Sequence, residues 1–346
     1  MIDENPFSTT FGIEPDNFIA RIKEQDQIIS EFSSGKPSNY VYLITGVRGS
    51  GKTVMLTALA NYFRDKKDWL VIDPGPKDNI LENIASEIYE NGKMKYAFLK
   101  GEFSFSFHGL TFSIKGKEPV TTVNTLLKKM LDIIKKKNIK VLITIDEVDN
   151  SLPMKLFIQE YQSLIRQNYP VLLLMTGLYE NVSKLQENKT LTFLYRAPKI
   201  QMGPLALNSI ALNYEQRLGV SKDISVKLAK LTKGYAYAYQ VLGYLMFKQK
   251  KSTVDNELLS LFDQYLSDYV YDKVYAGISA KEQEILKSFK TDESIKTKDL
   301  CINSKITIQY LSVYRKRLIN EGIIVAPSYG SLEFALPRFN EFLQYK

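Results

Sequence analysis

Tyr40-Val41-Tyr42-Leu43-Ile44-Thr45 runs directly into Gly46-Val47-Arg48-Gly49-Ser50-Gly51-Lys52-Thr53-Val54. The second stretch fits G-x-x-x-x-G-K-[ST] at every fixed position: Gly46, Gly51, Lys52 and Thr53. The first is a β-branched and aromatic run, the composition of a buried strand. The residues from Val54 to Arg64 then read as a helix. Strand, glycine-rich turn and helix form the context in which this pattern cradles phosphate. The glycines let the backbone N–H groups of Gly46 to Val54 curl around phosphate oxygens. The helix N-terminus adds positive partial charge. Lys52 is placed to reach β- and γ-phosphates, and the Thr53 hydroxyl to bind Mg²⁺.

A second apolar run, Val141 to Ile145, delivers Asp146 and Glu147. Ligands of α/β sheets bind beyond the C-terminal strand ends, so two carboxylates there complement the loop. Asp146 is expected to hold Mg²⁺ and Glu147 to orient and polarise the attacking water. Adjacent residues of an extended strand point opposite ways, so the backbone must turn at this strand end for both to serve. A third run, Val171 to Met175, ends in Thr176-Gly177. Thr176 is expected to hydrogen-bond the γ-phosphate or the water.

Working outward, short apolar runs alternate with helical stretches from Asn39 to about Gly203. They include Trp69 to Ile72 and Lys199 to Met202, and they predict a parallel sheet covered on both faces. From Leu205 to Tyr275 strand signals vanish; Asn208 and Ser221 read as helix N-caps and Gly234 as a break. From Gly277 three helices and a hairpin follow, with Ser279 and Glu282 forming a capping box. The expected organisation is an α/β domain at 1–204, a helical lid at 205–276 and a winged helix-turn-helix at 277–346. At 100° per residue, Leu311, Tyr314 and Leu318 share the inner face of the third helix. Gln309, Ser312, Lys316, Arg317 and Asn320 lie opposite, a set suited to base edges and phosphates of double-stranded DNA. From Gly277 onward there are 11 basic and 8 acidic residues, only +3, so protein contact remains an alternative use of this unit. One insertion, Phe103 to Ile114, alternates with period two around His108-Gly109 and reads as a hairpin with six apolar side chains on one face.

Composition sets the outer limits. The chain has 346 residues, 45% hydrophobic and 24% charged, values of an ordered globular protein of more than one domain. One cysteine, Cys301, and one histidine, His108, leave no room for a disulfide framework, a zinc ribbon or a histidine-based triad within the chain. No apolar run is long enough to span a bilayer and the N-terminus carries no signal peptide, so no membrane and a cytoplasmic location are expected. The net charge of +8 is compatible with a polyanionic partner.

Together these motifs resemble the AAA+ P-loop ATPases of the archaeal-type, origin-initiator-like and STAND-related branch. The resemblance is carried by Asn5-Pro6-Phe7, Phe11-Gly12, Pro15, Phe18 to Arg21, the glycine loop, Ile143 to Asp149, Leu172 to Gly177 and Leu194 to Pro198. It implies ATP and Mg²⁺ as cofactors, ATP/ADP exchange and a homo-oligomer when ATP-bound. It also implies slow hydrolysis coupled to DNA association, as in an initiator, loader or mobile-element helper. The segment from Phe11 to Ile28 would flank the adenine, Thr176 would be the first sensor, and Arg196 would act as an arginine finger toward a neighbouring subunit. Two departures stand out. Ala20-Arg21 replaces the usual Gly-Arg. The segment Gly234-Tyr235-Ala236-Tyr237-Ala238-Tyr239 lacks the second-sensor arginine. That absence points to a slow ATPase or to the alternative, a STAND-type ATP-gated signalling or defence switch.

Overall fold

The computed structural model describes all residues except 1–3, 11, 13, 14, 16, 76, 93, 95–104, 108, 109 and 113–121. The chain divides into two compact units. One comprises residues 22–45 and 55–200; the other comprises 1–21, 46–54 and 201–346. The residues that the sequence assigns to lid and C-terminal domain thus fall in one unit, together with the glycine loop.

The first unit is built on a sheet. Strands β1 (Val41–Thr45), β2 (Trp69–Ile72), β5 (Lys140–Ile145), β6 (Val171–Gly177) and β7 (Lys199–Gln201) lie in the order β2-β5-β6-β1-β7. The pairs β2–β5, β5–β6 and β1–β6 are parallel. Every residue of β1 and β6 is buried, which is why both read as unbroken apolar runs. The surrounding helices are α1 (Ile22–Ser33), α2 (Lys52–Arg64), α3 (Ile80–Glu90), α4 (Val123–Lys136), α5 (Leu152–Arg166) and α6 (Tyr179–Gln186). Their apolar residues recur at helical spacing; in α4, Leu126, Leu127, Met130, Leu131 and Ile134 are buried. Thr122 and Ser151 cap α4 and α5 by accepting from Thr125 N and Met154 N. The expected hairpin is present as β3 (Phe105–Phe107) and β4 (Leu110–Phe112), which pair antiparallel with Phe105 opposite Phe112. Its His108-Gly109 turn lies outside the described residues.

The second unit holds α7 (Leu207–Leu218), α8 (Lys222–Leu231), α9 (Ala236–Lys248), α10 (Asn256–Leu266), a π turn (Ser267–Tyr271) and α11 (Asp272–Ala276). It continues with α12 (Ala280–Lys287), β8 (Ile295–Lys296), α13 (Thr297–Ser304), α14 (Ile308–Asn320), β9 (Ile324–Val325), β10 (Ser331–Phe334) and α15 (Phe339–Leu343). Strands β8, β10 and β9 form an antiparallel sheet with β10 central. Helix–helix–helix–hairpin is the order expected of a winged helix. The capping box of α12 forms as read, and Ser221 caps α8. Asn208 does not cap: α7 starts earlier, after Ala206, and Asn208 falls in its first turn.

The elements of residues 205–276 and 277–346 share one hydrophobic core that runs from Phe7 through α7–α11 to α15. Polar ties cross it as well. Arg338 grips Asp263 with both Nε and Nη2, the latter at 2.6 Å from Oδ2, and Tyr271 OH donates to Pro337 O at 2.6 Å. The N-terminal segment joins this core. Phe7 packs against the rings of Tyr214 and Tyr239, each at 5.7 Å, and over Gly243, where a Cβ would lie 2.4 Å from its ring. Only glycine fits there. Among the described residues no helix is long and apolar enough to cross a membrane.

Candidate nucleotide site

The loop Gly46–Val54 has the geometry the motif asks for. Gly49 and Gly51 take φ of +73° and +90°, left-handed conformations that L side chains avoid. At Gly49 there is also no space: a Cβ would stand 2.2 Å from the Tyr235 hydroxyl. Lys52 is 9% exposed, and its Nζ donates to Gly46 O and Val47 O of its own loop, both at 3.0 Å. Ser50 is 4% exposed, and its buried Oγ has no hydrogen-bond partner among the described residues. A buried hydroxyl in that state costs about 1–3 kcal/mol, so it fits a loop built to receive a further acceptor or donor. Arg21 Nη2 supports the loop from outside, donating to Gly203 O at 2.6 Å and lying 3.4 Å from Ser50 O.

Two further supports were not legible in the sequence. Tyr235, at the start of α9, donates its hydroxyl to Arg48 O, and Tyr237 N donates to Gly49 O at 3.0 Å. Both tyrosines belong to the stretch noted above for its missing arginine. Nothing in a local pattern announces a bond between residues 187 positions apart.

The carboxylates lie in the sheet unit. Ile145 is level with Met175 in the β5–β6 register, so Asp146 emerges beside Thr176. Glu147 takes φ of +53°, the turn required for both carboxylates to leave the strand on useful sides. Asp146 Oδ1 accepts from Glu147 N at 3.1 Å and from the Thr176 hydroxyl, and Val148 N donates to Thr176 O at 2.8 Å. Thr176 is fully buried and Glu147 exposed. On the other side of β6, Thr45 of β1 is level with Gly177, and Gly46 follows Thr45 in the chain. Arg196 ends a 3-10 turn (Thr192–Arg196) and is exposed, with no partner among the described residues.

In α14, Leu311 and Leu318 are buried as read, and Gln309, Ser312 and Lys316 are exposed. Asn320 is half-buried. Arg317 has a different occupation. Its Nε lies 3.2 Å from Oε1 of Glu282, a fully buried side chain of α12, and 3.1 Å from Glu321 Oε1. Val313 and Ile302 are 67% and 74% exposed. Phe11, in the segment expected to flank adenine, lies outside the described residues.

A glycine loop between a parallel strand and a helix, with acidic residues at the end of β5, one strand removed across β6, defines the P-loop NTPase fold. Comparison agrees with this. Residues 18–157 match the KAP family P-loop domain, and residues 268–343 match a domain of unknown function (DUF8462). A comparison with curated proteins finds no sequence match. Among solved structures, the chain is similar to the Walker-type ATPase PABY2304 of Pyrococcus abyssi: TM-score 0.64, 14% identity, 95% of this chain and 96% of that one. It is also similar to the Aeropyrum pernix ORC2 protein in its ADPNP–ADP complexes: TM-score 0.60, 14% identity, coverage 97% and 96%. At such identity the likeness speaks for the fold. The P-loop NTPase fold expected from the motifs therefore holds, and the likeness to an archaeal ORC protein is one of fold.

Proposed function

We propose that the protein is an ATP-binding, slowly hydrolysing ATPase whose nucleotide state sets its association with double-stranded DNA through α14. The observation that carries the reading is the loop Gly46–Val54: two left-handed glycines, a buried lysine and a buried serine hydroxyl without a partner. The backbone N–H groups of Gly46 to Val54 would take the phosphates. Lys52 would exchange the carbonyls of Gly46 and Val47 for β- and γ-phosphate oxygens. Thr53 and Asp146 would hold Mg²⁺, which neutralises phosphate charge; one hydroxyl and one carboxylate suit a cation that arrives with its phosphates. Glu147, exposed at its turn, would orient and polarise water, while Thr176 fixes the Asp146 carboxylate by hydrogen bond. Arg196 is assigned to a neighbouring subunit's nucleotide, where it would stabilise charge developing in the transition state.

A second reading, a STAND-type switch with a protein-contacting C-terminal unit, is favoured by one observation. Arg317 is engaged with Glu282, and the exposed surface of α13–α14 presents Val313 and Ile302. The deciding experiment pairs wild type with Glu147→Gln. Calorimetry should give similar MgATP affinity for both, and turnover should vanish in the variant. DNA titration of the trapped variant at two salt concentrations should give binding that falls steeply with salt. Wild-type turnover retained by the variant removes Glu147 from its role. Absence of salt-sensitive DNA binding in every nucleotide state selects the second reading.

A further inference from the structure

The turn that precedes α9 touches two places at once. Its first reach is to the phosphate loop. Tyr235 OH donates to Arg48 O and Tyr237 N donates to Gly49 O, so two successive loop carbonyls are held outward. In a phosphate nest the N–H groups must face the anion and the carbonyls must face away. Burial pushes the Tyr235 hydroxyl well above its ordinary pKa, so it remains a donor. The second reach is to the C-terminal sheet. Lys233, two residues earlier, donates from Nζ to Asp292 O at 3.2 Å and to Phe334 O at 3.0 Å. Phe334 belongs to β10, and the Asp292 carboxylate also accepts from Asn340 N in the first turn of α15.

The turn itself is closely held. Lys233 and Gly234 are both left-handed, with φ of +49° and +76°. Leu205 N donates to Gly234 O at 2.8 Å, and Tyr235 N donates to Thr232 O at 2.8 Å. A Cβ at Gly234 would lie 2.5 Å from Leu205 O. These bonds tie the two reaches through one short turn.

We propose that Tyr235 is a positioning residue for phosphate binding, and that the turn Thr232–Tyr235 carries the state of the phosphate loop to the C-terminal sheet through Lys233. The inference rests on the reading that Gly46–Val54 takes nucleotide phosphates. It puts a neutral hydroxyl, acting on loop backbone, in the part of the lid from which a charged sensor is missing. Loop movement on filling shifts Arg48 O, Tyr235 follows, and Lys233 transmits the displacement to β10.

The test uses the full chain, hydrogen exchange with and without saturating MgATP, and two variants. Wild type should bind MgATP and change its exchange rate over Ile323–Ala335. Tyr235→Phe keeps the ring and loses the hydroxyl. Its affinity should fall about 3- to 10-fold, as one net hydrogen bond implies, and saturating nucleotide should leave exchange at 323–335 unchanged. Lys233→Met should bind within about 2-fold of wild type and also lose the response at 323–335. That split separates positioning from general destabilisation, and Lys233→Met reports on the relay even if Tyr235→Phe folds poorly. Wild-type affinity with a retained response in Tyr235→Phe overturns the proposal, as does a retained response in Lys233→Met. A wild type that binds nucleotide but shows no response at 323–335 defeats the relay alone. A wild type that binds none defeats this proposal together with the reading of the loop.

Discussion

Ser50 Oγ and Lys52 Nζ occupy the same loop, the first buried without a partner and the second spending its charge on two carbonyls of its own chain. Both are states that a phosphate would relieve. Ser50→Ala should therefore melt at or above wild type without nucleotide, by up to about 1 kcal/mol, and bind MgATP several-fold more weakly. A variant that melts lower and binds as wild type refutes that account of the hydroxyl. Lys52→Ala should lose measurable MgATP binding by calorimetry, because nothing else in the loop carries a full positive charge within reach except Arg48. Retained affinity would transfer the role to Arg48. These residues were legible because the motif is local: loop, lysine and hydroxyl lie within eight positions of Gly46 in the sequence. Tyr235 was not, because its bond to Arg48 is made only when distant segments fold together. The turn at Glu147 was foreseen from stereochemistry; its φ of +53° is the form it takes.

At the scale of elements, β1, β2, β5 and β6 could be read because burial on both faces makes strands continuously apolar. The two-residue β8 could not, since a pair such as Ile295-Lys296 has no period to detect. Helix α14 shows how a correct helical face can still misdirect. Its buried stripe is as read, yet Arg317 lies at the stripe's edge and is drawn to Glu282 of α12. Lys316 and Arg317 should consequently behave differently. Lys316→Ala should leave stability within about 0.5 kcal/mol and, if α14 binds double-stranded DNA as proposed, flatten the salt dependence of that binding by roughly 0.9 units. Arg317→Ala should destabilise by about 1–3 kcal/mol, because a buried carboxylate loses its cation. Urea denaturation and salt titration separate the effects. Equal stability loss in both variants would mean that Glu282 is held by its Ser279 hydrogen bonds alone.

For the whole molecule, one compact unit takes in residues 1–21 and 46–54 together with 201–346. Composition changes at Leu205 and Gly277 mark where element types change, not where packing stops. The core from Phe7 to Leu343 crosses both positions. Sequence patterns report secondary structure; which surfaces then share a core depends on long-range packing that no local window contains. Assembly belongs at this scale too. If Arg196 serves a neighbour's site, Arg196→Ala should bind MgATP normally and hydrolyse it tens- to thousand-fold more slowly. Wild-type specific activity should rise with protein concentration. Mixing Arg196→Ala with Glu147→Gln should recover part of the turnover. Flat specific activity and no recovery would make Arg196 a residue of its own chain's surface.

The placement of Gly46–Val54 with residues 201–346 bears on how this protein is made. The loop leaves the ribosome early, while Tyr235 and Ile323, members of the core that Val47 joins, are still unsynthesised. At ordinary translation rates the gap is on the order of tens of seconds. Through that interval the sheet unit also lacks β6 and β7 until their residues appear, and the loop has no lid to shape it. The loop thus has its full set of core partners only after residues 201–343 have been made. A chain cut short before Tyr235 would lack the hydroxyl and the backbone N–H that hold the carbonyls of Arg48 and Gly49, and its loop would stay unshaped.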